Sequence, residues 1–306
     1  MTDTLRMGVV GTGYWASEVH AAGVAAHPDV ELVGVWGRDP VKAAAVAEPH
    51  GARAYDDFDA LLGDVDLLTF AVPPQVQADL ALRAAEAGKH LLLEKPVTTD
   101  LAAADRLVEA VDRRGVSTVV FFTYRFVPWA EEWFDDVRRH DLAGGTACWY
   151  VGHAAEGSPF AASPWRRRDG ALWDVGPHAL SHLLPALGPV SAVAGARGRG
   201  DLVHVVLTHE GGATSVMSLC MTMPSGGERV EMEFYDDHGW HSRPDRERDV
   251  DEAYARALSE LLAHVAAGET GHRCDVRFGR DVVAVLARCE AALSGGGEAT
   301  GGSPPA

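Results

Sequence analysis

The sequence predicts an α/β chain in which a doubly wound parallel sheet comes first and an α+β domain with a predominantly antiparallel sheet follows. Three observations predict it. Strand-like and helix-like segments alternate up to about residue 122, which implies a parallel sheet covered on both faces. Beyond that point strand-like segments follow one another across glycine turns without intervening helices, as in antiparallel sheets. A glycine turn, "GTGYWA", joins the first strand to the first helix.

Taken in order, "LRMGVVGTGYW" reads as a buried strand entering that turn, "ASEVHAAGVAAH" as a helix and "VELVGVW" as a second apolar strand. "DPVKAAAVAEPHG" reads as a helix with Asp39 at its N-cap and Pro40 at its first position. "DVDLLTFAV" is a strand, "PPQVQADLALRAAEAG" a helix closing on Gly88, "KHLLLEKP" a strand, "DLAAADRLVEAVDRRG" a helix and "VSTVVFFTY" a strand. "YRFVPWAEEWFDDVRRH" is expected to be a linking helix. "TACWYVGH", "VSAVAGARG", "LVHVVLTH", "TSVMSLCMTM" and "RVEMEFYD" follow as strands. "EAYARALSELLAHVAAGE" and "FGRDVVAVLARCEAAL" are late helices. The expected domains are therefore 1–122 and 123–294, with a low-complexity tail at 295–306 expected to be disordered.

At 306 residues the chain is long enough for two domains of roughly 100–200 residues each. Its formal net charge of -17 argues against a nucleic-acid or acidic-membrane partner, since both demand a basic footprint. The four cysteines show no CxxC pairing, which disfavours zinc-finger and redox motifs and fits a reducing cytoplasm. No stretch is apolar enough for a signal peptide or a membrane span, so a cytoplasmic location is expected.

The glycine turn carries the first chemistry. Gly11, Gly13 and Ala16 stand at G-x-G-x-x-A spacing between a strand and a helix. The first glycine permits the turn, the second lets backbone approach a pyrophosphate, and the third position needs a small residue for helix–strand packing. A helix N-terminus beyond the turn favours the anion. The stretch Gly11, Thr12, Gly13, Tyr14 and Trp15 is thus the candidate dinucleotide cradle. At the end of the second strand an acid would bond the adenosine ribose, but the sequence has Gly37 followed by Arg38. That pair points to NADP(H) as the preferred cofactor, with NAD(H) as the alternative. Asp39 is better explained as a helix cap.

Other residues stay open on the sequence alone. Lys95 follows a buried leucine run and Glu94, and precedes Pro96; it reads as a solvated lysine capping a strand or as a functional group at its tip. Asp174, His178 and His182 recur at i, i+4 and i+8, so one continuous helix would put them on one face. They read as a polar helix start or as metal ligands. No further carboxylate is placed and nothing resembles HExxH, so no metal is expected. Trp165 and Arg166 read equally as a basic surface turn or as ligand contacts. Arg125 serves either the cofactor or the junction between domains.

The glycine turn, "EKP" after "AVPPQVQADLALRAAEAGKH", and "GALWDVGPHALSH" together resemble the glucose-fructose oxidoreductase/inositol dehydrogenase (Gfo/Idh/MocA) family, from "MGVVGTGYWA" to about residue 292. The resemblance implies an N-terminal Rossmann domain and a C-terminal α+β domain. The open sheet of the latter commonly carries a homo-oligomer interface, here a dimer or tetramer. It implies nicotinamide-dependent oxidation or reduction of a sugar, keto-sugar or cyclitol. It makes Lys95 the catalytic lysine, with Asp174 and His178 as its partners, and the Lys95–Pro96 bond a candidate cis peptide. Glu94, Lys95, Trp165 and Arg166 join the cofactor-binding set by the same match. Ser181 departs from the family pattern, in which an Asp often follows three residues after the His. Gln77 stands where many relatives have a histidine. No role is assigned to Ser181, His182 or Gln77.

The reaction so implied is hydride transfer between nicotinamide and a carbinol or carbonyl carbon, with Lys95, Asp174 and His178 handling the proton. Two competing readings remain on this fold: a non-catalytic nucleotide sensor, and an NADPH reductase of an imine or tetrapyrrole.

Overall fold

A computed structural model describes residues 4–155, 157, 158, 160 and 163–295. Residues 296–306 of the expected disordered tail lie outside the described residues. The chain divides into two units, Met1–Trp133 with Pro244–Val283 and Phe134–Arg243 with Ala284–Ala306. This division departs from a single cut at 122, because the chain returns to the first unit near its end.

In the first unit, strand β1 (Leu5–Val10) enters the glycine turn and helix α1 follows, π-wound over Trp15–Ala21 and α-helical over Ala22–Ala26. Next come β2 (Val30–Trp36), α2 (Pro40–Ala47), β3 (Arg53–Tyr55), α3 (Phe58–Asp64), β4 (Leu67–Phe70), α4 (Pro74–Glu86), β5 (His90–Leu93), α5 (Leu101–Arg114) and β6 (Thr118–Val120). The strands form one parallel sheet in the order β3-β2-β1-β4-β5-β6. That order reverses between β1 and β4, and a ligand crevice lies at the strand ends at such a reversal. Val9, Val10, Leu67, Leu68, Phe70 and Leu91–Leu93 are fully buried, the continuous apolar runs of a sheet covered on both faces.

Caps set the helix limits. The Asp39 carboxylate accepts from the N–H groups of Val41 and Lys42 at 3.0 and 3.3 Å, and Asp100 accepts from Ala103 N–H at 2.6 Å. Gly115 ends α5 in the left-handed region at φ 64°. The short β3 and α3 have no counterpart in the sequence expectation.

Helix α9 (Val250–Ala267) was expected in the second domain but belongs to the first unit. The reason is Tyr254. Its ring occupies the place where a side chain at Gly23 would stand, 2.3 Å from that Cβ position, and its hydroxyl donates to Thr69 Oγ1 at 3.0 Å. Only glycine at position 23 admits the ring against α1.

The boundary between units runs within α6 (Pro128–Val137) and again within α10 (Val276–Gly295). The second unit contains β7 (Gly144–Tyr150), α7 (Pro164–Asp174), α8 (Gly176–Leu187), β8 (Val190–Arg197), β9 (Val203–His209), β10 (Thr214–Cys220), β11 (Arg229–Asp236) and β12 (Gly239–Ser242). Its open sheet runs β12-β11-β7-β10-β9-β8, antiparallel except for the β7–β10 pair. Ala147, Trp149, Met217, Leu219, Val205, Leu207 and Phe234 are buried, and α8 packs against β7 and β10. Among the described residues no helix is long and apolar enough to cross a membrane.

Candidate active site

The first unit gathers its candidate residues at the carboxyl ends of β1, β2 and β5. Gly11 leaves β1 with φ 139°, and a Cβ there would stand 2.4 Å from the Ala71 carbonyl oxygen, so only glycine fits. Its N–H donates to the Trp36 carbonyl at 2.9 Å, tying the turn to β2. Gly13 has no neighbour within 4 Å of its Cβ position, so its backbone is open to close approach. Ala16 is fully buried at the start of α1. Thr12 fills the place a side chain at Gly37 would need, with its Cγ2 only 2.4 Å from that Cβ position. Gly37 thus has a packing reason besides the missing carboxylate. Arg38, beside it, is exposed, and Asp39 is held as the cap of α2. An open glycine backbone, a helix beginning just beyond it and an exposed guanidinium at the end of β2 suit a dinucleotide phosphate.

At the tip of β5 the chain turns through Glu94, Lys95 and Pro96, and the Lys95–Pro96 peptide bond is cis. One buried side chain from α4 clamps this turn. The Gln77 carboxamide donates to the carbonyls of Glu94, Pro96 and Val97 at 2.7, 3.3 and 3.2 Å. Its oxygen accepts from Glu94 N–H at 3.0 Å. Gln77 is therefore a positioning residue for Lys95, which is half-buried. Replacing it with leucine, similar in size but unable to bond, is expected to cost about 1–3 kcal/mol. Urea unfolding of Gln77→Leu measures this, and unchanged stability would contradict the clamp.

The Glu94 carboxylate is held from beneath. Its Oε2 accepts from Lys95 N–H at 3.1 Å and its Oε1 meets His20 Nε2 at 3.3 Å. His20, fully buried on α1, meets Thr69 Oγ1 through Nδ1 at 2.7 Å, and Thr69 in turn accepts from Tyr254. For a neutral imidazole the directions are fixed. A carboxylate can only accept, so Nε2 carries the proton, Nδ1 accepts, and the Thr69 hydroxyl donates to it. Burial pushes the Tyr254 phenol well above its ordinary pKa, against a smaller opposite effect of the Thr69 hydrogen bond, so it stays a donor. A buried chain Tyr254–Thr69–His20–Glu94 thus ends on the backbone of Lys95.

Arg125 lies in the same unit and is 2% exposed. Its guanidinium bonds Glu131 at 3.0 and 3.3 Å, and Arg273 bonds both Glu131 Oε1 at 3.1 Å and the Arg125 carbonyl at 2.8 Å. Glu131 and Arg273 belong to the first unit as well.

The second unit holds the other candidates. The stretch "GALWDVGPHALSH" is not one helix. Asp174 closes α7, Val175 is a single turn residue still in the right-handed region at φ -106° and ψ -20°, and α8 starts at Gly176. Pro177 has no N–H to offer the carbonyl four residues back, which breaks the ladder there. Asp174 thus ends one helix while His178 and His182 stand on the next. The fully buried Asp174 carboxylate accepts from Arg166 Nε at 3.2 Å and meets His153 Nδ1 at 3.3 Å. The Arg166 guanidinium also lies over the rings of Trp165 and Phe160, at 4.6 and 4.9 Å. His178 is 6% exposed and stacks on Trp149 with centroids 5.8 Å apart. Its carbonyl accepts from Ser181 Oγ at 2.8 Å and from His182 Nδ1 at 3.3 Å. Ser181 and His182 are thus anchored on the backbone of α8.

Sequence reading missed His20, Thr69, Tyr254 and His153. A histidine four residues past Ala16, inside an alanine-rich helix, was the one local signal for the buried chain.

The family model for the oxidoreductase family with an NAD-binding Rossmann fold matches residues 5–122. An uncharacterized oxidoreductase of Synechocystis sp. is 30% identical over 204 residues, 63% of this chain and 54% of that protein, so the chain spans about half of that relative's length. The dTDP-3,4-didehydro-2,6-dideoxy-alpha-D-glucose 3-reductase of Streptomyces antibioticus is 30% identical over 233 residues, covering 71% of this chain and 69% of the reductase. Among solved structures, GenD2 from gentamicin A biosynthesis, in complex with NAD, superposes with a TM-score of 0.83 at 21% identity, covering 97% of this chain and 96% of that one. Structural likeness at that identity establishes the fold alone. With the glycine cradle, the strand order and the "EKP" turn, these matches make the chain a member of the Gfo/Idh/MocA family of NAD-binding oxidoreductases.

Proposed function

We propose that the chain is an NADP(H)-dependent oxidoreductase that moves a hydride between nicotinamide and a carbon of a sugar, keto-sugar or cyclitol. A nucleotide-linked sugar comes within this class, because one relative is named as a reductase of a dTDP-linked sugar. The observation that most supports this reading is Lys95 at the tip of β5, held by Gln77 and Glu94 at the same strand ends as the glycine cradle.

When bound, the nicotinamide supplies the hydride chemistry. The backbone of Gly11–Trp15 and the start of α1 bind the pyrophosphate. Lys95 hydrogen-bonds the reacting oxygen and stabilises its developing charge. His178 acts as general acid/base, the role an imidazole most often takes in such steps. Asp174, paired with Arg166, orients the polar groups around it or bonds a substrate hydroxyl. Glu94, Trp165 and Arg166 complete the set that touches the cofactor. The reading extends to a cytoplasmic homo-oligomer, a dimer or tetramer formed through the sheet of the second unit.

Arg38 sets the cofactor preference in this account. Its planar fork suits a 2′-phosphate, and a charge-assisted contact contributes roughly 1.5–3 kcal/mol, about one to two decades. Arg38→Ala is therefore expected to lower kcat/KM with NADPH by about 10- to 100-fold and to leave NADH nearly unchanged. Installing Asp at position 37 is a poorer test, because its Cβ would strike Thr12. Steady-state rates of the wild type and Arg38→Ala with both cofactors, over a panel of keto-sugars, test the reading. Equal use of NADH and NADPH by the wild type would overturn the preference.

A further inference from the structure

In the second unit, and separate from every residue assigned above, two histidines converge on one carboxylate oxygen. His140, three residues past the end of α6, places Nδ1 3.2 Å from Asp236 Oδ2. His241, on β12, places Nε2 3.1 Å from the same atom. The two rings lie with centroids 4.0 Å apart. One ligand atom from each residue lies within 4.8 Å of the others.

We propose that His140, Asp236 and His241 form a binding site for a divalent transition metal of the zinc type, with the remaining position left to water. The spacing argues for it. Zinc bonds of 2.0–2.1 Å in tetrahedral geometry put ligand atoms about 3.3–3.4 Å apart. The two nitrogen–oxygen separations of 3.2 and 3.1 Å are within a few tenths of an ångström of that edge, and the two nitrogens lie within 4.8 Å of each other. Two imidazoles and one carboxylate favour zinc, cobalt, nickel or copper over magnesium or calcium, which take oxygen ligands.

The carboxylate is also prepared for a cation. Asp236 Oδ1 accepts from the N–H groups of His238 and Gly239 at 2.7 and 3.0 Å, which fixes its orientation and leaves Oδ2 for the histidines. Such anchoring of a ligand by outer hydrogen bonds is typical of metal sites. His140 and His241 are 33% and 18% exposed, so an ion has a route in and a place for water. Bound there, the metal would clip the segment after α6 to the β11–β12 hairpin, at the edge of the sheet. The sequence hid the site because its two histidines stand 101 positions apart.

The test uses the full chain, stripped with a chelator and titrated with Co²⁺ and with Zn²⁺. Visible cobalt absorption reports coordination, and thermal melting reports stabilisation. The expected result is one ion per chain, a raised melting temperature, and at least a ~10-fold weaker affinity in both His140→Gln and His241→Gln. That figure is the lower end of what even an outer hydrogen-bond partner costs a metal site. Glutamine keeps a donor for Asp236, so the unmetallated variants should melt like the unmetallated wild type; if one does not, the other decides. Asp236 is left intact because it also caps the hairpin turn. No binding by the wild type, or equal affinity in the folded variants, would overturn the proposal; the latter would place the ion on other histidines.

Discussion

Lys95→Ala and His178→Ala are each expected to lower kcat by at least ~10², the lower range for a positioned acid/base group. Nucleotide affinity should change little, because the proposed cradle at Gly11–Trp15 is backbone of the turn between β1 and α1. If the two side chains act on one reacting oxygen, the double variant should lose far less than the product of the two single losses. Steady-state kinetics with nucleotide titrations separate these effects. Full activity in both single variants would remove both residues from the chemistry. Losses that multiply would show that they act independently.

Glu131→Gln should have the largest effect on stability. Glu131 is 5% exposed and is the shared acceptor for Arg125, itself 2% exposed, and Arg273. The amide keeps the shape but removes the charge that offsets two guanidinium groups in a water-poor setting. Breaking one side of a buried ion pair costs about 3–5 kcal/mol, against a total stability on the order of 5–15 kcal/mol. Arg273 retains Glu260, so the damage centres on Arg125. Burial would raise the Glu260 carboxyl, but hydrogen bonds from His272 and Arg273 outweigh it and bring it to about 2, so Glu260 stays anionic in that role. Urea unfolding of the variant measures the loss, and a change below about 1 kcal/mol would show that water already screens the cluster.

The parts legible in the sequence were those carried by local pattern. Buried runs such as Leu91–Leu93 declare a strand covered on both faces, Asp39 before Pro40 declares a helix start, and Gly11 declares a turn that no side chain tolerates. The lysine at the end of the leucine run became interpretable only through the resemblance. Strand β3 escaped because three residues are too few for a periodicity to register. The return of α9 escaped because apolar spacing shows that a helix has a buried face, but not which sheet covers it. The partner was specified by shape, Tyr254 against the missing side chain of Gly23, between residues 231 positions apart. The same holds for the chain beneath Glu94, where His20 and Thr69 meet across 49 positions and Tyr254 joins across 185. At "DVGPH" the spacing did not reveal the joint between α7 and α8, where Pro177 stands in the first turn of the second helix.

The most direct test of the proposed activity follows the hydride itself. NADPH carrying deuterium at the transferable C4 position is incubated with the wild-type chain and a panel of keto-sugars, free and nucleotide-linked, and the products are examined by mass spectrometry. Deuterium is expected on the former carbonyl carbon of at least one sugar, and is expected to be lost in Lys95→Ala. Tight nucleotide binding with no label transferred to any sugar would contradict the proposed activity, and would leave a nucleotide-sensing protein in its place.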